Sequence, residues 1–103
     1  VDGHLRKSAC DSFLGTDLAA RLRILAPRRL LITGCATDFC VDTTLRSAAA
    51  LGFNVVAVSD AHTKADRPHL SAEQIIDHHH WMWQGLILPA GKHVTLLPTD
   101  QLV

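Results

Sequence analysis

The sequence has no surplus of either charge: 10 Lys and Arg stand against 10 Asp and Glu, for a formal net charge of zero. Acids and bases are interspersed, so no basic stripe points to a nucleic acid and no polybasic patch to a membrane surface. No apolar run reaches the roughly 18 residues that span a bilayer, and the first residues lack the pattern of a secretory signal. Cysteine is scarce at three, an odd number that allows at most one internal disulfide, so a reducing, cytoplasmic setting is the simpler reading. Methionine is rarer still. Met82 stands alone, and the opening "VDGHLRKSAC" has no initiator, which suggests part of a longer chain. Internal repeats, linkers and low-complexity stretches are absent too.

What remains is a chain of 103 residues, 48% hydrophobic and 19% charged, enough for one modest globular domain with a real core. Leu18, Leu22 and Leu25 recur at helical spacing and predict a helix over 17–26, with Thr16 or Asp17 available as N-cap and Pro27 as its stop. "RLLITG" is a short continuous apolar run that suits a strand buried on both faces of a parallel sheet. "DFCVDTTLRSAAALG" puts Val41, Thr44, Leu45 and Ala48 on one helical face and stops at Gly52. "FNVVAVSDA" reads as a second buried strand, and "SAEQIIDHHHWMWQGL" as a helix opened by a Ser71–Gln74 capping box. "HVTLLPT" is a third strand, closed by Pro98. Strand-to-strand spacing of about 24 residues is that of right-handed crossover units, so the class is α/β. Three parallel strands make a thin sheet, and an uncovered edge on "LLIT" invites pairing, so further strands are expected from a preceding half of the domain.

Ligands of open parallel sheets bind at the carboxyl ends of the strands, and "TGCATDFC" occupies such a place. A cysteine in the first turn of the following helix meets free amides and the positive end of the peptide dipoles, which favour a thiolate and can hold an oxyanion. Cys40 is therefore the candidate nucleophile, against the plainer reading of a small buried residue. Thr37 or Asp38 is expected to cap the helix.

"LLITGCATDFCVDTTLRSAAALGFNVVAVSDA" resembles the C-terminal half of the isochorismatase-like cysteine hydrolases, and the likeness extends upstream through "RKSACDSFLGTDLAARL" and downstream to "VTLLPTDQL". The resemblance implies a three-layer α/β/α Rossmann-like parallel sheet, of which residues 1–103 are the C-terminal part. It implies a catalytic aspartate, lysine and cysteine, and by position the lysine matches Lys7 and the nucleophile Cys40. It further implies a cis peptide between Cys35 and Ala36, oxyanion amides at Ala36 and Cys40, and a small-molecule substrate. The aspartate matches nothing here, since in the family it belongs to the preceding half; neither Asp2 nor Asp11 replaces it. The implied reaction is hydrolysis of a C–N bond in a small amide, carbamoyl or ureido compound. An isochorismatase-type vinyl ether hydrolysis and a catalytically silent half-domain or oligomerisation unit are the alternatives. Homo-oligomers are usual in the family, no cofactor is implied for this chain, and the metal of the nicotinamidase branch has its ligands in the other half.

His78, His79 and His80 are consecutive on a helix, point about 100° apart and cannot converge on one ion. A zinc site from Cys10, Cys35, Cys40 and a histidine lacks a close ligand pair, so metal ligands are assigned to none of these residues. Trp81 and Trp83 face different sides of their helix, and one of them is expected to pack on the sheet or a partner. Phe39, beside the nucleophile, and Phe13 are candidate substrate-pocket walls or plain packing. Cys35 is expected to be buried, Cys10 has no assigned role, and Asp60 is expected to tie down a loop beside His62.

Overall fold

The computed structural model describes residues 3–102; Asp2 lies outside them. Helix α1 (Leu18–Leu25) is entered at Asp17, whose carboxylate pairs with Arg21 one turn on (3.0 Å) instead of capping the helix. Ala26 turns left-handed at φ 48°, closes the helix by donating to the Leu22 carbonyl at 2.8 Å, and hands over to Pro27. There follow strand β1 (Leu30–Cys35), a π-helical turn (Thr37–Val41) that runs directly into α2 (Asp42–Ala50), strand β2 (Val55–Thr63), helix α3 (Ala72–Gln84) and strand β3 (Thr95–Leu97). The capping box of α3 is in place: Ser71 accepts from the Gln74 amide while the Gln74 side chain accepts from the Ser71 amide.

The three strands form one parallel sheet in the order β1-β2-β3. Residues two apart on a strand share a face, so Val55 and Ala57 look the same way. They pack into a single cluster with Val41, Leu45, Ala48 and Ala49 of the α2 arm, Trp83 of α3 and Val94. Both helices therefore cover one face of the sheet. Leu45, Ala48 and Trp83 are fully enclosed.

The β1/β2 register breaks between Ile32 and Gly34. Leu30, Leu31 and Ile32 oppose Val55, Val56 and Ala57, and Gly34 and Cys35 then oppose His62 and Thr63. Gly34 sits at φ 121°, a conformation that side-chain-bearing residues rarely adopt, which is why the strand can turn out toward the next segment there. The irregularity sets His62 beside the start of the π turn.

One expectation needs correction. Strand β1 is not buried on both faces: half-buried and exposed residues alternate over its first half, and Leu31 keeps 46% of its surface. Among the described residues β1 has only β2 as a strand neighbour, so its other edge is open. Helix α1 likewise buries none of its residues, and Ile24 and Leu25 are largely exposed.

Candidate active site

The segment carrying Cys40 leaves β1 through a cis Cys35–Ala36 peptide, with Ala36 extended at φ −94°, ψ 149°. The Ala36 carbonyl then accepts from the Phe39 and Val41 amides, both at 3.1 Å, and the second of these bonds gives the turn its π-helical width. No side chain caps it, so Thr37 and Asp38 do not have the role expected of them. Each is drawn instead to a partner far along the chain. Thr37, fully buried, shares a 2.8 Å hydrogen bond between its hydroxyl and His62 Nδ1. Asp38 pairs with Arg67, whose hydrogen bonds hold its carboxyl below the usual carboxylate range.

Cys40 is partly exposed, and the Lys7 ammonium donates to its Sγ at 3.3 Å. That ammonium also donates to the carbonyls of Ala9 (2.8 Å) and Cys10 (3.3 Å), so its three N–H groups have three acceptors. The loop holding Lys7 is pinned to α2. The Thr44 hydroxyl accepts from the Ser12 amide at 3.0 Å and lies 3.2 Å from the Cys10 carbonyl, while the Ser47 hydroxyl donates to Asp11 Oδ2 at 2.6 Å. Asp11 is fully occupied in this task, its other oxygen accepting from the Phe13 amide at 2.9 Å. A cleft of about 180 Å³ opens over this centre, walled by Lys7, Ser12, Gly34, Cys35, Cys40 and Thr44 among others. Cys35 is exposed, not buried: it ends β1 on the wall of that cleft.

Neither candidate aromatic wall lines this cleft. Phe13 stacks on Phe53 with ring centroids 6.2 Å apart and packs against the core. Phe39, 52% exposed, lies under the Arg67 guanidinium at 4.9 Å and borders a neighbouring apolar cleft of about 350 Å³ with Leu70, Ile75 and His78. Lys64 brings a further charge close to Asp38, its ammonium 3.8 Å from Oδ2 and buried without a hydrogen-bond partner among the described residues.

The three consecutive histidines have three environments. His78 stacks on the exposed Trp81, His79 is buried with Nδ1 2.7 Å from the Ile75 carbonyl, and His80 Nε2 meets His62 Nε2 at 2.7 Å. Burial, followed by the neighbouring His80 and His79, pushes His62 down to about 4; burial lowers His80 as well. Trp83 is the tryptophan that packs on the sheet. Asp60 holds the Thr99 amide and hydroxyl at 2.9 and 2.7 Å, which lowers its pKa. Among the described residues no three His, Cys, Asp or Glu side chains are arranged to hold a metal ion. Nothing in the spacing along the chain signals the Thr37–His62–His80 chain of contacts or the hold of the Cys10 carbonyl on the Lys7 ammonium; the polar end of β2 is the only hint of the first.

A parallel sheet whose carboxyl edge presents a cysteine against an ammonium, ahead of a helix, defines a Rossmann-like α/β domain with a thiol centre. The isochorismatase domain family matches residues 2–80, and the chain belongs to that family. It is similar to the streptothricin hydrolase of Streptomyces noursei, 38% identical over 64 residues that cover 62% of this chain and 23% of that protein. A crystal structure of an isochorismatase family protein superposes with a TM-score of 0.76 at 38% identity, covering 89% of this chain and 52% of the other. The nicotinamidase of Staphylococcus aureus superposes with a TM-score of 0.67 at 25% identity, over 85% of this chain and 51% of that one. The chain thus spans about half the length of these solved structures and less of the curated relative.

Proposed function

We propose that this chain supplies the nucleophile-bearing half of a cysteine-dependent hydrolase acting on a C–N bond of a small amide, carbamoyl or ureido compound. The observation that carries the reading is the 3.3 Å contact between Lys7 Nζ and Cys40 Sγ at the carboxyl edge of the sheet. An ammonium donating to the sulfur stabilises negative charge on it, and the sulfur opens onto a cleft of small-molecule size. Relatives named as a streptothricin hydrolase and a nicotinamidase support a hydrolytic reaction.

In this reading Cys40 attacks the carbonyl carbon while the backbone amides of Ala36 and Cys40 hold the oxyanion, and water then releases the acyl group from the sulfur. The thiol proton passes to an aspartate of the preceding half of the domain, which also supplies the strand that pairs with the open edge of β1. Lys7 orients that carboxylate and balances its charge. The test is a kinetic comparison of the intact protein with its Cys40→Ala variant across primary amides, carbamoyl and ureido compounds. Loss of turnover together with an acyl adduct on Cys40 in the parent is expected, and undiminished turnover in the variant would sink thiol catalysis and favour a vinyl ether reaction.

A further inference from the structure

Thr37 is buried at the first position of the π-helical turn, between Ala36 and the nucleophile, and its hydroxyl meets His62 Nδ1 at 2.8 Å. The other nitrogen of that ring, Nε2, lies 2.7 Å from Nε2 of His80 on α3. The three side chains thus make an unbroken line from the helix, through the end of β2, to the turn. His62 is buried within it, opposite Gly34 of β1 and with the Trp83 indole edge-on at a centroid distance of 5.1 Å. Two ring nitrogens at 2.7 Å are hydrogen-bonded, and such a bond has room for one proton between them.

We propose that His62 and His80 form a one-proton clamp that positions Thr37, and through it the turn presenting Cys40, and that the clamp opens when both rings carry charge. The positioning role rests on the reading of Cys40 as the nucleophile. While the pair is neutral, either ring can donate. His62 does so through Nε2–H, with the Thr37 hydroxyl donating to Nδ1, or His80 does so through Nε2–H, with His62 Nδ1–H donating to Thr37. A first added proton goes to His80 and selects the second arrangement, so the line stays closed. A second puts N–H groups of like charge on both facing nitrogens, and the rings must part. The surroundings set that order. Burial disfavours charge on His80, the Asp77 carboxylate works against that and His79 with it, while Asp38 and Cys40 of the turn are engaged by Arg67 and Lys7. The more deeply buried His62 is pushed down to about 4 by burial, then by His80 and His79, so the clamp is closed at neutral pH and opens in acid. Thr37 adjoins the Ala36 amide and stands three residues before the Cys40 amide. Opening therefore disturbs contacts made only in the transition state, and kcat falls while KM is nearly kept.

The test follows the intact, isotope-labelled protein from about pH 8 to about pH 3 by NMR of the histidine ring nitrogens and the backbone amides. Alongside, it measures hydrolysis of p-nitrophenyl acetate as the excess over Cys40→Ala. In the parent, the amide signals of residues 37–41 should move in step with protonation of His62, and kcat should fall in the same step. Thr37→Val should lower kcat by ~10- to 100-fold with KM held within ~3-fold, and Thr37→Ser should restore most of the loss. His80→Phe should behave like Thr37→Val. His80→Gln, whose amide can donate or accept but takes no charge, should recover kcat and remove this step from its acid limb. A His62 that takes its proton while the turn amides and kcat stay put overturns the proposal. So does a Thr37→Val variant with unchanged kcat, or one in which KM carries the whole loss. The NMR titration does not depend on turnover. A protein without Cys40-dependent hydrolysis whose turn amides still follow the rings refutes the hydrolase reading alone, and an active hydrolase that ignores the rings refutes the clamp alone.

Discussion

Arg67 grips Asp38 with two parallel hydrogen bonds, Nε to Oδ2 at 3.1 Å and Nη2 to Oδ1 at 3.0 Å, and so ties the loop after β2 to the turn that presents Cys40. The fork is what makes the tie directional. A lysine in its place would neutralise the carboxylate without fixing the angle of the turn.

Breaking this pair should therefore act on catalysis through position. Asp38→Asn and Arg67→Lys are expected to lower kcat/KM by roughly 10- to 100-fold, the scale on which small misplacements of reacting groups act. The pair also leaves an acid signature. Because Asp38 has a folded pKa below its unfolded one, the folded state binds fewer protons in that range. The stabilisation is complete above about pH 4, the unfolded carboxyl value, and disappears as pH falls through the lower folded value. Denaturant midpoints measured below pH 4 should drop less steeply in Asp38→Asn, and identical acid profiles would contradict the assignment.

His62 gives the opposite kind of group a similar dependence. With a folded pKa of about 4 against an ordinary value of 6.5, it stays neutral in the folded protein where the unfolded chain already takes up a proton. Stability is thus full above pH 6.5, falls as pH is lowered from there to about 4, and levels off below. The loss is roughly 2 to 3 kcal/mol across that window. His62's share of the slope should correspond to about one proton, to which the lowered His80 adds in the same direction. In His62→Asn, chemical denaturation across the window should show a clearly shallower slope, whereas an unchanged one would mean that other groups carry it.

Lys7 has three acceptors for three donors, two carbonyls and the sulfur, an arrangement that suits a compact ammonium. Lys7→Met is expected to reduce kcat/KM by about 100- to 10,000-fold, the range of a charged group assisting the reacting atoms. Lys7→Arg should rescue little, because a planar fork does not match acceptors spread around one nitrogen. Labelling by iodoacetamide gives a second readout: Cys40 should react faster than Cys10 or Cys35 in the parent and lose that lead in Lys7→Met.

The alternation of helix and strand was legible because it rests on local periodicity and on punctuation by Pro27, Gly52 and Ser71. The geometry around Cys40 was not, because it is made by contacts that span the chain. Thr37 and Asp38 look like helix caps in isolation, and both are taken by partners 25 and 29 residues away, His62 and Arg67. The register break that brings His62 there has no sequence signal beyond Gly34. Cys35 reads as the buried end of an apolar strand, yet the fold leaves that end on a cleft. Lys7 and Cys40, 33 residues apart, were linked in advance only by resemblance to the family.

Core stability offers a test independent of any activity. The Trp83 indole is fully enclosed at the end of α3, and its Nε1 donates at 2.8 Å to Asp42 Oδ1 in the first turn of α2, the same oxygen that accepts from Arg46 Nε at 2.8 Å. One bond thus joins the two helices that cover the sheet. Trp83→Phe keeps most of the apolar surface and removes the donor, for an expected loss of about 1 to 2 kcal/mol. Trp83→Ala leaves a cavity beside Leu45 and Val55 and should cost about 3 to 5 kcal/mol. Asp42→Ala strands the buried indole N–H and should cost about 1 to 3 kcal/mol. If the bond is what couples the helices, the double variant Trp83→Phe/Asp42→Ala will be less destabilised than the sum of the single ones by about 1 kcal/mol in urea unfolding of the intact protein. Strict additivity would place the stabilisation in the packing of the ring alone.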